Sequence, residues 1–153
     1  MSWEEVAEER IQSRIELANL EISAAEKFCK SPIEKIAYIG MRDLLFAFGA
    51  MNLLIYPQFK IGTYTVDFLI KFKPKHSSNE SKELSIVVEC DGHDWHEKSK
   101  EQVARDKERE RFIAKQGYLL LRYSGSEIVD EPHRIVSDIT EIIFRWWPRI
   151  KSG

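Results

Sequence analysis

Cysteine is scarce in this chain: Cys29 and Cys90 are the only two among 153 residues. That count argues against a disulfide framework and makes a reducing cytoplasm the expected location. Long apolar runs are missing too. Nothing approaches the roughly 18 consecutive apolar residues a membrane-spanning helix needs, so no membrane partner is expected. The opening MSWEEVAEER is acidic where a secretory leader is basic. A basic excess is also absent, because 23 lysines and arginines face 25 acidic residues for a formal net charge of −2. Any nucleic acid must then be held by a local basic surface and not by global charge. Repeats, low-complexity tracts and long linkers do not occur. What is present is ordinary globular chemistry, 43% hydrophobic and 31% charged. It predicts a single domain over residues 1–153, long enough for a proper core.

Residues 3–28 carry Ile11, Ile15, Ala18 and Ile22 at helical spacing and predict an N-terminal helical extension spanning 1–29. In SPIE, Ser31 suits an N-cap, Pro32 the first helical position and Glu34 the third, a capping box. The helix it opens is expected to reach Phe48, where Gly49 ends it. Residues 53–59 and 62–72 read as two strands joined by a tight turn at Lys60–Gly62. Within TYTVDFLIKF, alternation puts Tyr64, Val66, Phe68 and Ile70 on one face and Thr65, Asp67 and Leu69 on the other. LSIVVECD is a third strand. Ser99 and Gln102 form a second capping box, opening a helix to Gln116 that Gly117 closes. YLLLRYS is a fourth strand, and residues 131–147 form a final helix. Three strands make an antiparallel meander, and the fourth returns through a helix to lie parallel to the third.

The stretch SIVVECDGHDWHEKSKEQVARD runs an apolar strand into Glu89, Asp91, His93, Asp94 and His96. Strand alternation places Val87, Glu89 and Asp91 on one face and Ile86, Val88 and Cys90 on the other. If Asp67 falls beside Glu89, three carboxylates converge. Charges that close repel unless one is protonated or a cation sits among them. Hard oxygen donors with retained water suit Mg²⁺ or Mn²⁺, and the Cys90 carbonyl is a further candidate ligand. Such an ion can polarise a phosphodiester. On the following helix, Phe112 and Ile113 define the face toward the sheet, and Arg105 and Arg109 share it. An arginine there needs a carboxylate or phosphate partner. Arg105, nearest the helix start, is expected to meet the carboxylates or a substrate phosphate. Asp106 and Arg109 read as an intrahelical pair.

VDF followed by VVECDG resembles the split signature of the PD-(D/E)XK nuclease superfamily. The longer pattern, VECDGHDWH and then ARDKERERFIAKQGYLLLRY, is similar to two of its branches. They are the family called domain of unknown function 559 and the very-short-patch mismatch repair endonucleases. The resemblance covers roughly Ser31 to Ile128. It implies an α/β fold with a restriction-endonuclease-like αβββαβ core over 31–128: a mixed four-stranded sheet flanked by helices, with an extra N-terminal helix. It also implies a divalent-metal-dependent DNA endonuclease, with Asp67 and Glu89 carried over as metal ligands. Asp91 stands where the superfamily usually has lysine. His96 matches the histidine of the repair enzymes and becomes the candidate general acid or base. Glu34 matches an acidic residue often found on the helix before the sheet. Cysteines matching the repair enzymes' structural zinc ligands are missing, so their mismatch function does not carry over.

Each of these residues has a plainer reading. Asp91 with Gly92 forms a common turn pair, Glu34 is already used by its capping box, and Arg105 can bridge to Asp91 or Glu101. Asp67, inside an apolar strand, has no such explanation, because burying a carboxylate without a partner is costly. Two other functions compete with the nuclease. One is a zinc-stabilised binding module built on Cys90, His93 and His96, though zinc sites usually need four convergent nitrogen or sulfur ligands. The other is a nuclease-like DNA-binding or assembly subunit without catalysis. The helix from Ser99 carries nearly balanced charge, so a homodimer or partner subunit is expected to help in holding DNA.

Overall fold

A computed structural model describes residues 2–74, 82–92 and 99–151, the last four as backbone only. The first helix, α1, spans Trp3–Phe28 and is opened by a Ser2/Glu5 capping box. Its Ile11, Ile15 and Ile22 stripe is exposed, and the helix is anchored by buried Ala25, with Cys29 buried just past its end. The expected helix to Phe48 is divided at Arg42 into α2, Pro32–Met41, and α3, Asp43–Phe48. The Arg42 N–H is shared between the Tyr38 and Ile39 carbonyls. Gly49, at φ 79°, closes the pair as the sequence predicts.

Strands β1, Leu53–Ile61, and β2, Tyr64–Phe72, form the hairpin. Its turn lies at Gly62–Thr63, slightly later than expected. Gly62 has φ +60°, and a Cβ there would sit 2.8 Å from the Phe112 ring. Next come β3, Leu84–Asp91, then α4, Lys100–Lys115, and β4, Leu119–Ser124. The Ser99/Gln102 capping box is formed. A short helix, α5, Gly125–Asp130, precedes the last one, α6, Arg134–Lys151. Its own capping box, Ser124 with Glu127, is a sequence signal that the expected single helix over 131–147 passes over.

The sheet order is β1-β2-β3-β4, with β1, β2 and β3 antiparallel and β4 parallel to β3. This is the anticipated mixed four-stranded sheet flanked by helices, in αβββαβ order with an added N-terminal helix. One face, with Phe68, Ile70, Phe72, Ile86 and Val88, packs on α2, α5 and α6. Trp146 and Trp147 close that core edge-on or tilted against Phe72. The other face, with Leu69 and Val87, packs on Ile113 of α4.

Alternation along β2 departs from the sequence reading. Tyr64 and Val66 lie on the α4 side, whereas Phe68 and Ile70 lie on the opposite side. β1 makes the same switch: Ile55 belongs to the first core, and Phe59 and Ile61 to the second. Both strands change sides around Gln58 and Asp67. Gln58 has φ 51°, and it interrupts the ladder between the pairs Pro57↔Phe68 and Phe59↔Val66. A left-handed residue in a strand rotates the backbone beyond it, which moves the next side chains to the other face.

Candidate active site

The place where β1 and β2 twist is also where β2 leaves β3. Their pairing runs from Phe72↔Leu84 to Phe68↔Val88 and, among the described residues, goes no further. β3 continues alone beside β4 through Glu89↔Arg122 to Asp91↔Ser124. Main-chain groups freed by a fork must find other partners. Here the side chains supply them. The Cys90 N–H donates to Asp67 Oδ2 at 2.8 Å. The Thr65 carbonyl accepts from Arg109 Nη2 at 3.0 Å. The same Nη2 donates to Glu89 Oε1 at 2.5 Å. Arg109, projecting from α4, thus ties the two diverging strands together.

Glu89 is 6% exposed, one of two buried charged residues among those described, with Glu34. Burial drives its carboxyl from 4.5 up to about 7, opposed by the Arg109 guanidinium and reinforced by the negative charge of Asp67. Asp67 is also pushed above the usual carboxylate range, chiefly by burial, with Glu34 adding to the rise. The Cys90 N–H and Arg109 hold it down in part. Two acids at one fork, both resisting ionisation, mark a place where a positive charge would be welcome.

Asp91 is differently situated. Arg122 grips it with two bonds of 2.8 Å, from Nε and Nη2. Arg122 Nη1 also pairs with Glu110 of α4. The Asp91–Arg122 geometry is a bidentate fork, which fixes both planes. The sequence reading missed Arg122, although alternation in YLLLRYS puts it on the Glu89 face, where an arginine needs an acid. Gln58 was also missed. Its Nε2 donates to Glu34 Oε2 at 2.9 Å, and the Lys30 N–H donates to the same oxygen at 2.9 Å. The capping box expected at Ser31 is therefore only half made: Ser31 Oγ accepts from the Glu34 N–H, but the Glu34 carboxylate turns to Lys30 and Gln58. A left-handed glutamine bonded to a buried glutamate beside Asp67 is strain of the kind found at functional sites. Sequence alone carries no signal for it.

The structure thus brings Asp67 and Glu89 near one another at the end of β3, with Asp91 close enough to both, and Glu34 to Asp67, to raise their carboxyls; the three-carboxylate cluster expected from the sequence is not formed among the described residues. Arg105 is exposed. The approach to the carboxylates expected of it is made by Arg109, one turn later, because Phe112 and Ile113 set the rotation of α4. Arg109 therefore serves the sheet, where an intrahelical pair with Asp106 had been expected. His93, Asp94 and His96 lie outside the described residues. The Cys90 side chain packs against the first core, away from Glu89. Burial and the surrounding acids push its thiol far up, a poor state for a zinc ligand, which must be thiolate.

Among the described residues, no three histidine, cysteine, aspartate or glutamate side chains converge to hold an ion. Mg²⁺ does not require three. It is commonly held by one or two carboxylates, with water and substrate phosphate completing its shell. Asp67 and Glu89 are such a pair, and a guanidinium resting on Glu89 shows that the position accepts positive charge. The donors fit.

A family model, REase_MTES_1575, of restriction-endonuclease-like type, matches residues 43–143. That span runs from α3 into α6 and includes every strand. No curated protein and no solved structure matched the chain.

Proposed function

The chain belongs to the restriction-endonuclease-like family REase_MTES_1575, and on that footing we propose that it is a divalent-metal-dependent DNA endonuclease. The whole of 1–153 acts as one nuclease-like domain. One observation carries the reading: within the matched span, Asp67 and Glu89 meet at the fork between β2 and β3, and both resist ionisation there. Asp67 and Glu89 hold Mg²⁺ or Mn²⁺, with the Cys90 carbonyl as a third donor. The ion supplies Lewis-acid polarisation of a phosphodiester and of an attacking water. Asp67, fixed by the Cys90 N–H, keeps one oxygen oriented into the fork. Glu34, steadied by Lys30 and Gln58, keeps a second acid beside it. His96 is the candidate for moving the proton. Asp91, held by Arg122, acts in positioning and not as a free base. The pattern around VECDGHDWH aligns the chain with the domain-559 and very-short-patch branches.

A panel of labelled duplex and single-stranded DNA, incubated with Mg²⁺ or Mn²⁺, tests this. Cleavage should require the ion and should be lost in Asp67→Ala and Glu89→Ala while circular dichroism stays native. Undiminished cleavage by both variants rejects the site. The Arg109–Glu89 ion pair favours one alternative, a catalytically silent DNA-binding or assembly subunit, since a guanidinium already neutralises Glu89. DNA binding with no cleavage in either ion would select it.

A further inference from the structure

Phosphodiester hydrolysis builds negative charge on the phosphate, and a positioned cation is needed there. Among the described residues two arginines approach the acids at the fork, and they are not equivalent. Arg122 has three of its nitrogens committed, to Asp91 and Glu110. Its charge is spent between two carboxylates. Arg109 is different. Among the described residues both of its bonds are made by one nitrogen, Nη2, to Glu89 and to the Thr65 carbonyl. Nη1 and Nε are left over, so the guanidinium keeps N–H donors for an oxyanion even while Nη2 stays on Glu89 and Thr65. Its side chain is 22% exposed, against 8% for that of Glu89, so Arg109 is more open to solvent than the acid it bonds.

We propose that Arg109 is a catalytic residue that contacts the scissile phosphate, sharing Glu89 with the divalent ion and donating to a phosphate oxygen from Nη1. The inference rests on the proposed nuclease site. Arg109 and the ion repel one another across Glu89, so the ion's arrival weakens the Arg109–Glu89 contact. The phosphate then replaces the lost half of the contact. The Thr65 carbonyl keeps the guanidinium from swinging away. Thus the position on α4 that ties the forked strands also delivers the charge that the phosphate requires.

The test compares wild type, Arg109→Met and Arg109→Lys. Mn²⁺ affinity is measured by titration calorimetry, duplex DNA affinity by anisotropy in Ca²⁺, and cleavage rate in Mg²⁺. Arg109→Met should bind Mn²⁺ about tenfold more tightly, because a competing positive charge is gone. It should bind DNA about tenfold more weakly and cleave at least about 100-fold more slowly. Arg109→Lys should keep wild-type Mn²⁺ affinity and recover part of the DNA affinity. A purely structural arginine would instead lower Mn²⁺ affinity with the melting temperature. Unchanged or weaker Mn²⁺ binding by Arg109→Met, or unchanged DNA binding, overturns the inference. Because both titrations are independent of turnover, they decide it even if cleavage is not seen. Cleavage that needs Asp67 and Glu89 but not Arg109 defeats this inference alone. Cleavage that needs none of the three defeats the site itself.

Discussion

Raising the pH should weaken the protein when a chelator keeps divalent ions away, and Glu89 should account for most of the loss. Its carboxyl rises from 4.5 unfolded to about 7 folded, mainly because burial penalises the anion. The folded state therefore holds this proton more tightly than the unfolded chain does. The resulting stabilisation is complete below 4.5 and is lost as pH climbs through about 7. At about 1.36 kcal/mol per pH unit, the loss is on the order of 3 kcal/mol. Asp67, raised in the same direction, adds to it. Glu89→Gln keeps the shape and cannot ionise, so its stability should vary much less across the same range. Urea unfolding of wild type and Glu89→Gln at about pH 5 and about pH 8.5, with chelator present, measures the difference. Mg²⁺ added at the higher pH should restore wild type by binding the ionised acid and should do little for the variant. Parallel pH profiles for the two proteins would refute the reasoning, since Glu89 would then carry no buried proton.

Two further substitutions probe how the site is supported. Gly62→Ala should cost about 1–3 kcal/mol, because the new methyl enters the Phe112 ring at 2.8 Å from a left-handed backbone; an unchanged melting temperature would mean that α4 does not pack on the hairpin turn. Arg122→Met should cost about 2–3 kcal/mol, less than for a fully buried pair, by leaving Asp91 and Glu110 without their cation. If urea unfolding shows a change below about 0.5 kcal/mol, the Asp91–Arg122–Glu110 bridge has no structural weight.

Much of the fold was legible because its signals are local. Helical spacing without any glycine or proline marks α1, and the structure keeps the same ends, Trp3 and Phe28. Ser99 and Gln102 announce α4 by a bond reaching three residues along the chain. The helix between the third and fourth strands requires a parallel return, and β4 is parallel to β3. Asp67 and Glu89 stood out as acids inside apolar strands, a cost that local sequence states openly. The pairing of arginines with acids was less legible. Arg105 and Arg109 lie one turn apart on α4, and sequence periodicity cannot fix the helix rotation to the few degrees that choose between them.

By itself, then, the sequence determined most of the helices and strands, how the meander and crossover connect, and which acids interrupt apolar strands. These follow from periodicity, capping and the cost of desolvation, all of which act within a few residues. Tertiary structure alone decided that β2 parts from β3 beyond Phe68, that Gln58 turns left-handed to reach Glu34, and that Arg109 meets Glu89 while Arg122 takes Asp91. Those outcomes depend on how distant segments are rotated and spaced once both cores are packed, and no short stretch of sequence contains that information.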